Sequence, residues 1–392
     1  MVAVFGRGSR LVGVAAWFVV VLTGWRPARA AEKVHSSDFN DPAKISNAWS
    51  VATTTLPPVD EVAHGPKKKP RRFLGEFTNE TVSLSLKSLP KHDFVRVSFD
   101  LLILKNWDGL GSVGLDGTFA GPEYWGLQLD DGPLLLHAAF ANGPVGIRAD
   151  RRRQTFPSLL PGEHVPARTG ASASNTLGYD RDLGGDTTYK LKFLIPHAAD
   201  AIKFSFFGDN LPQVEEQSWG MDNVVVEVLN ADEVPPPDEA AWKIAWVELG
   251  ELDPVRAYEA GWKMIAAREL TTETAAKFLA AIGTLPAKEQ LGQKVQALVK
   301  QLDANEFRTR ERAMKDLLRL GSPAVPFLRR AWKSPPSAEA RSRLELLLGR
   351  IDDVDPASLD EDARRRERLS VVLGILNTPA ANNLLDKYYP DR

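Results

Sequence analysis

Residues 224–250, VVVEVLNADEVPPPDEAAWKIAWVELG, contain the change of side-chain periodicity that decides the fold. Before the triple proline, every second residue from Val224 to Val228 is a valine, and a period of two is typical of a β-strand with one buried face. After it, Trp242 and Trp246 lie four residues apart, which places both rings on one face of a helix. The sequence therefore predicts a β-rich part followed by a helical part.

The β-rich part is predicted over residues 34–229. Its longest alternating run is FVRVSFDLLILK at 94–105, and similar runs begin at Tyr189 and Ile202. Many short strands separated by Gly and Pro turns, with no helix between them, predict an antiparallel β-sandwich. The proline-rich segment 230–240 is predicted to be a stiff linker.

The helical part is predicted over residues 241–390, where the apolar period becomes 3.6. Asp253 and Thr378 are each followed by a proline, and a capping side chain before a proline marks the start of a helix. The pair Tyr258 and Trp262 has helical spacing and is expected to be buried core, with a sugar-binding platform as the alternative. Short helices with brief links predict an array of helix pairs.

The first 30 residues have the pattern of a secretory signal peptide. Arg7 and Arg10 precede an apolar run over 11–22, and the small residues Ala28 and Ala30 follow at the cleavage spacing. The run is shorter than the roughly 20 apolar residues that a bilayer span needs. We therefore expect an exported protein in the periplasm, at the cell surface or outside the cell, without a membrane span after cleavage. The alternative is a signal peptide that stays uncleaved as an anchor.

Composition and motifs exclude several classes of function. The formal net charge is −2 and the chain has no cysteine, which argues against a nucleic-acid partner and excludes thiolate chemistry and disulfides. The motifs of zinc proteases, of serine hydrolases and of phosphate-binding loops do not occur in the sequence. The glycine pattern from Gly109 to Gly114 lacks the following helix that dinucleotide binding requires, because Gly and Pro residues come next. His137, in an apolar segment, is expected to be a core or edge histidine.

The β-rich part resembles the jelly-roll superfold of carbohydrate-binding modules and lectin-like domains of exported bacterial proteins. The resemblance lies in RRFLGEFTNETVSLSLKSLP, FVRVSFDLLILKNWDG, NTLGYD and SWGMDNVVVEV. It implies a jelly-roll-like β-sandwich and, between its first and last strands, a structural calcium ion. The oxygen ligands that it implies are Asp38, Asn40, Asp41 and Asp222. The alternative is that Asp222 and Asn223 only cap a turn.

The helical part resembles HEAT-type repeats in residues 305–351, where a helix ends in leucines, a glycine turns the chain, and PAVPFL opens the next helix. Repeats of this kind need neighbours that bury their faces, so residues 241–283 and 357–390 are expected to be divergent caps of a short HEAT-like array. Repeat surfaces commonly bind proteins, which predicts a protein partner for this part.

These observations favour a multidomain protein, all-β and then all-α, that acts as a non-catalytic binding or scaffold protein of the cell envelope. The sandwich would bind a glycan or a protein, and the helices a protein. One alternative is a structural surface protein without a small ligand. The other is a glycosidase, with Glu123 and either Asp130 or Asp131 as its two carboxylates. On a straight strand Glu123 and Asp131 would lie about 26 Å apart, and Glu123 and Asp130 would point to opposite faces, so neither pair suits this chemistry.

Overall fold

A computed structural model describes residues 31–58, 71–110, 112–113, 119–120, 122–130, 132–142, 153–234, 238–282, 288–320, 324–351 and 354–389. The predicted signal peptide at 1–30, the triple proline and Asp131 lie outside the described residues. Within them, an antiparallel β-sandwich is followed by a helical region, as the sequence predicts.

Fifteen strands are described. In chain order they are β1 Glu32–Ser37, β2 Thr54–Thr55, β3 Phe73–Phe77, β4 Thr81–Lys87, β5 Phe94–Lys105, β6 Ser112–Val113, β7 Phe119–Ala120, β8 Tyr124–Leu129, β9 Leu134–Ala139, β10 Arg153–Gln154, β11 Val165–Pro166, β12 Ala173–Ser174, β13 Asp186–Pro196, β14 Ala201–Asp209 and β15 Gln217–Leu229. A seven-stranded sheet has the order β12-β13-β5-β15-β3-β2, with β1 also paired to β15. A four-stranded sheet has the order β4-β14-β8-β9, and two further pairs are β6-β7 and β10-β11.

The two larger sheets share a core that the alternating runs supply. On β5, Phe99 is buried, and its ring contacts Trp125 at 5.8 Å and Phe206 at 5.4 Å between centroids, both from the four-stranded sheet. The other apolar residues that alternate along β5 and β13 are buried as the sequence predicts, including Val97, Leu101, Ile103, Tyr189 and Leu191.

Nine α-helices lie in the described residues. They are α1 Glu239–Glu248, α2 Pro254–Ala266, α3 Arg268–Ile282, α4 Lys288–Gln301, α5 Phe307–Leu320, α6 Val325–Lys333, α7 Ala338–Ile351, α8 Glu361–Leu376 and α9 Pro379–Tyr388. The predicted caps are present at α2 and α9, where Asp253 and Thr378 accept hydrogen bonds from backbone N–H groups of the first turn. No helix within the described ranges is long and apolar enough to cross a membrane.

The helices form two groups with separate cores. Helices α4 to α7 bury one cluster among themselves: α4 packs on α5 and α6, and α7 packs on α5 and α6. Helices α1, α2, α3, α8 and α9 share their core with the β-sandwich. The two segments expected to cap opposite ends of a repeat array therefore pack against each other. Helices α2 and α3 of the first segment contact α8 of the second, because the apolar faces of the two segments cover each other. The α4–α7 unit lies between them in the sequence.

Helix α2 joins the helical region to the sandwich. The ring of Trp262 contacts Phe193 of β13 at 5.0 Å, and Tyr258 contacts Phe156 at 5.3 Å. Gly261 allows this approach, because a side chain there would meet Leu159 at 2.3 Å. The aromatic pair of α2 is thus packed against the core, in agreement with the expectation from its helical spacing.

Candidate functional site

Three aromatic rings form a row across the outer face of the four-stranded sheet. Tyr124 and His137 stack with their centroids 4.6 Å apart, and His137 and Phe207 are nearly parallel at 5.9 Å. His137 is exposed, and the other two rings are half-buried. We call Tyr124, His137 and Phe207 the aromatic row.

The strand register explains how the row forms. Gly126 of β8 is the partner of Phe207 on β14 and of His137 on β9. A Cβ atom at Gly126 would lie 2.3 Å from Cζ of Phe207, so the missing side chain is what lets the Phe207 ring lie across β8 towards His137. Since residues two apart in a strand share a face, Tyr124 points to the same side while Trp125 points into the core.

Polar side chains lie beside the row. Asp209, at the end of β14, places its Oδ2 3.7 Å from Nε2 of His137 and is largely exposed. Farther along the same face, Asp130 accepts hydrogen bonds from Lys203 at 2.5 Å and Ser205 at 2.7 Å. Because Tyr124 and His137 stack, each covers one face of the other ring, and the row has the imidazole of His137 at its middle with these polar side chains beside it.

A cavity of about 650 Å³ opens next to the row. Its walls are Tyr124, strand β9, the segment Thr155 to Gly162, and residues of α2 and α8. Small-molecule sites in proteins are commonly of this size and are mainly apolar with a few polar groups. No Asp, Glu, Lys or Arg belongs to the described lining, which includes the imidazole of His137.

A buried ion pair holds the cavity wall in place. Glu163 and Arg368 are 3% and 0% exposed and pair at 3.3 Å between Oε2 and Nη2. The same Oε2 accepts a hydrogen bond from Ser158, which lines the cavity, at 2.5 Å. Arg368 also donates to the backbone oxygens of Leu249 and Glu251. This cluster ties the loop that follows β10 to α8 and to the end of α1.

Glu123, the first carboxylate of the glycosidase alternative, is 2% exposed just before β8. It accepts hydrogen bonds from N–H of Asp108 at 2.5 Å, from N–H of Gly109 at 3.2 Å and from Nε2 of Gln217 at 3.0 Å. Burial raises the pKa of Glu123 to about 7, even though these hydrogen bonds lower it. The carboxylate anchors the Gly109 turn to the last strand.

Asp130 lies at the other end of β8 from Glu123. Seven residue steps along a strand correspond to about 23 Å. Two glycosidase carboxylates need a separation of about 5–10 Å. The two carboxylates therefore lie at opposite ends of β8, and the glycosidase alternative stays a prediction.

The four residues predicted to bind calcium contact protein donors instead of a common centre. Asp38 accepts the N–H of Asn40 at 3.3 Å, and Asp41 caps the 3-10 helix at 42–44 by accepting the N–H of Ala43 at 3.2 Å. Asp41 accepts hydrogen bonds from the side chain of Lys44 and from the backbone N–H of Ala43, and both hold its pKa below the usual value. These two carboxylates act locally, as turn and helix caps.

The remaining two ligands lie near arginines. Asn40 accepts the N–H of Arg72 at 3.2 Å, and Asp222 pairs with Arg71 at 2.5 Å. Burial raises the pKa of Asp222 to about 6, against the influence of Arg71. Across the described part of the chain, no three His, Asp or Glu side chains are grouped so that they could hold a metal ion. As placed, the four side chains do not fit a calcium ion, which needs six to eight oxygens, and calcium binding stays a prediction.

Sequence reasoning missed the aromatic row. One feature of the sequence could have indicated it: Gly126 lies inside the strand segment YWGLQL at 124–129. An internal glycine in a strand often marks a position that another group approaches closely. His137 was expected to be a core or edge residue, and it does lie on β9, the edge strand of its sheet. Its ring, however, belongs to the outer face.

Comparisons with known proteins add little. No protein-family model matches the chain, and no curated protein matches it. Among solved structures it is similar to the K3 cleaved adhesin domain of Lys-gingipain from Porphyromonas gingivalis W83, at 13% identity and a TM-score of 0.24, over 50% of this chain and 99% of that one. It is also similar to the Agl-KA catalytic domain, at 10% identity and a TM-score of 0.24, over 58% of this chain and 37% of that one.

A third similar structure is a family GH115 4-O-methyl-α-glucuronidase with specificity for decorated arabinogalactans. The identity is 11% and the TM-score 0.22, over 57% of this chain and 20% of that one, so the chain spans about a fifth of that enzyme's length. At such TM-scores these likenesses carry no argument about function.

Proposed function

We propose that this protein is a non-catalytic, exported binding protein of the cell envelope whose sandwich binds an uncharged glycan. The observation that supports this is the aromatic row of Tyr124, His137 and Phe207 beside a cavity with an uncharged lining. The C–H groups of a sugar ring pack favourably on the negative face of an aromatic ring. Its hydroxyl groups would find the carboxylate of Asp209 beside the row and the imidazole of His137 within it.

A binding role fits the chemistry better than a catalytic one. Three protein donors engage the carboxylate of Glu123, and Asp130 is about seven residue steps away along β8. A hydrolase remains the alternative to be tested by turnover of chromogenic glycosides. Turnover that is lost on Glu123→Gln would replace the binding proposal.

The experiment uses the full mature chain on a glycan array, followed by calorimetric titration of the best neutral oligosaccharide. Tyr124→Ala and Phe207→Ala are each expected to weaken binding about fivefold, since one aromatic contact contributes about 1 kcal/mol. Phe307→Ala is the matched control, because Phe307 is an exposed aromatic ring on the α4–α7 unit. Equal affinity in the row variants and the control would contradict the proposal, and silence across the array would favour the structural surface protein.

We also propose that the α4–α7 unit is the part of the helical region that binds a protein partner. The support is its exposed apolar side chains: Phe307 is 60% exposed and Leu346 49%. Contiguous exposed apolar patches are typical of protein contact surfaces, so the assignment requires these side chains to belong to one patch. A pull-down from envelope extract should recover a partner with the full chain and lose it with Phe307→Asp. Recovery of the same partner by both proteins would remove this assignment.

A further inference from the structure

Two carboxylates face each other on the outer surface of the seven-stranded sheet. Asp100 of β5 and Asp222 of β15 are direct partners in the strand register. Their neighbours Phe99, Leu101 and Met221 point into the core, so both carboxylates point outward. Their side chains are only 17% and 7% exposed. Like charges directly opposite each other destabilise a sheet unless a cation neutralises them.

The guanidinium of Arg71 lies at this carboxylate pair. Its Nη2 is 2.5 Å from Oδ2 of Asp222 and 4.0 Å from Oδ2 of Asp100. Asn223 completes the arrangement: its Nδ2 donates to Oδ2 of Asp100 at 2.6 Å, and its N–H donates to Oδ1 of Asp222 at 2.7 Å. Each carboxylate therefore has both a donor from Asn223 and the positive charge of Arg71.

The site is also a junction of three strands. Along one edge of β15, β3 pairs as far as Met221 and β1 pairs from Val224 onward. Arg71 comes two residues before β3. Asn40, three residues after β1, accepts the N–H of Arg72 at 3.2 Å. The guanidinium thus fills the position where the first and last strands meet, which is where the resemblance to jelly-roll modules implies calcium.

We propose that Arg71 is the resident cation of this junction and replaces the divalent ion that the resemblance implies. The inference does not depend on the proposed glycan site, which lies on the other sheet. An arginine suits the position because its planar fork is always charged and bonds well to carboxylates. The stability of the sandwich is then set by the chain's own charges, and addition or removal of calcium leaves it unchanged.

Thermal melting of the full mature chain, with EGTA and with millimolar calcium, is the first test. The wild-type melting temperature should be the same in both. Arg71→Ala should lower it by about 3–6 °C, because the two carboxylates then face each other without a counter-charge. Lys44→Ala is the control: it removes the cation paired with Asp41 and should leave the melting temperature unchanged. A wild-type melting temperature that falls in EGTA, or an Arg71→Ala protein as stable as wild type, would overturn the proposal.

A second variant separates charge neutralisation from simple packing. If the role of Arg71 is its charge, Arg71→Ala/Asp100→Asn should be more stable than Arg71→Ala, since one of the two repelling carboxylates is gone. If Arg71→Ala does not fold, Arg71→Gln with and without Asp100→Asn gives the same comparison. A double variant that is no more stable than its single parent would show that Arg71 acts by packing, and the proposal would fail.

Discussion

Replacing Glu123 with glutamine should change how the stability of the protein depends on pH. Glu123 is buried just before β8, where burial raises the pKa of its carboxyl from 4.5 to about 7. A glutamine keeps a carbonyl oxygen that can accept the N–H groups of Asp108 and Gly109. It has no proton to lose, so the variant isolates the cost of ionising this one group.

The size and sign follow from the two pKa values. The folded protein holds the Glu123 proton more tightly than the unfolded chain does, so the stability that this proton contributes is fully present below pH 4.5 and is lost as the pH rises to about 7. One pKa unit corresponds to about 1.4 kcal/mol, so the upward shift amounts to about 3 kcal/mol. The free energy of unfolding of Glu123→Gln, relative to wild type, should therefore rise by about that amount between pH 4 and pH 8.

Urea unfolding at several pH values, followed by circular dichroism, measures this difference directly. All other titrating groups cancel between the two proteins, including His197, whose pKa burial and His92 lower. Asp130→Asn is a suitable control at the far end of β8, because Lys203 and Ser205 lower the pKa of Asp130. The difference for this control should not rise between pH 4.5 and 7. A constant difference for Glu123→Gln over the same interval would mean that the three N–H donors outweigh burial, and the reasoning would be refuted.

Two further changes test the cavity and the row. Glu163→Gln should cost about 3–5 kcal/mol in urea unfolding, because it leaves the buried guanidinium of Arg368 without its counter-charge, and a loss below 1 kcal/mol would contradict this. Gly126→Ala should displace the ring of Phe207, which lies 2.3 Å from the new Cβ, and should weaken binding of the oligosaccharide in the same calorimetric titration, whereas unchanged affinity would separate the row from the ligand.

The periodicity of the sequence predicted the strands and helices well, because buried apolar residues recur with the period of the element that they belong to. The run at 94–105 is a central strand, and the helix starts expected at Asp253 and Thr378 are present. Capping and alternation are local, so they can be recognised without knowing what packs against them. Asp355 is also followed by a proline, but it caps only a short 3-10 helix at 356–358. A capping residue therefore marks where a helix begins and does not determine how long the helix is.

The packing of the helices could not be predicted in the same way. Periodicity shows that α2 and α8 have apolar faces, but not that these faces cover each other across more than a hundred residues of sequence. The aromatic row could not be predicted for the same reason. Its rings come from β8, β9 and β14, and only the order of these strands in the sheet brings them together. The proposed calcium ligands were chosen by their positions in two sequence phrases. Arg71 lies between those phrases, and nothing in the sequence pattern indicates that it pairs with Asp222.

The shared core determines how the function has to be tested. Helices α2 and α8 supply one wall of the cavity, and Trp262 covers Phe193 of the sandwich. A sandwich expressed without them would lose one wall of the cavity and expose part of its own core, so its failure to bind a glycan would say nothing about the aromatic row. The α4–α7 unit, which has its own core, does not contribute to the described cavity lining. The helical region therefore has two physically different parts: helices that form one wall of the cavity, and a unit with its own core to which we assign the proposed protein partner.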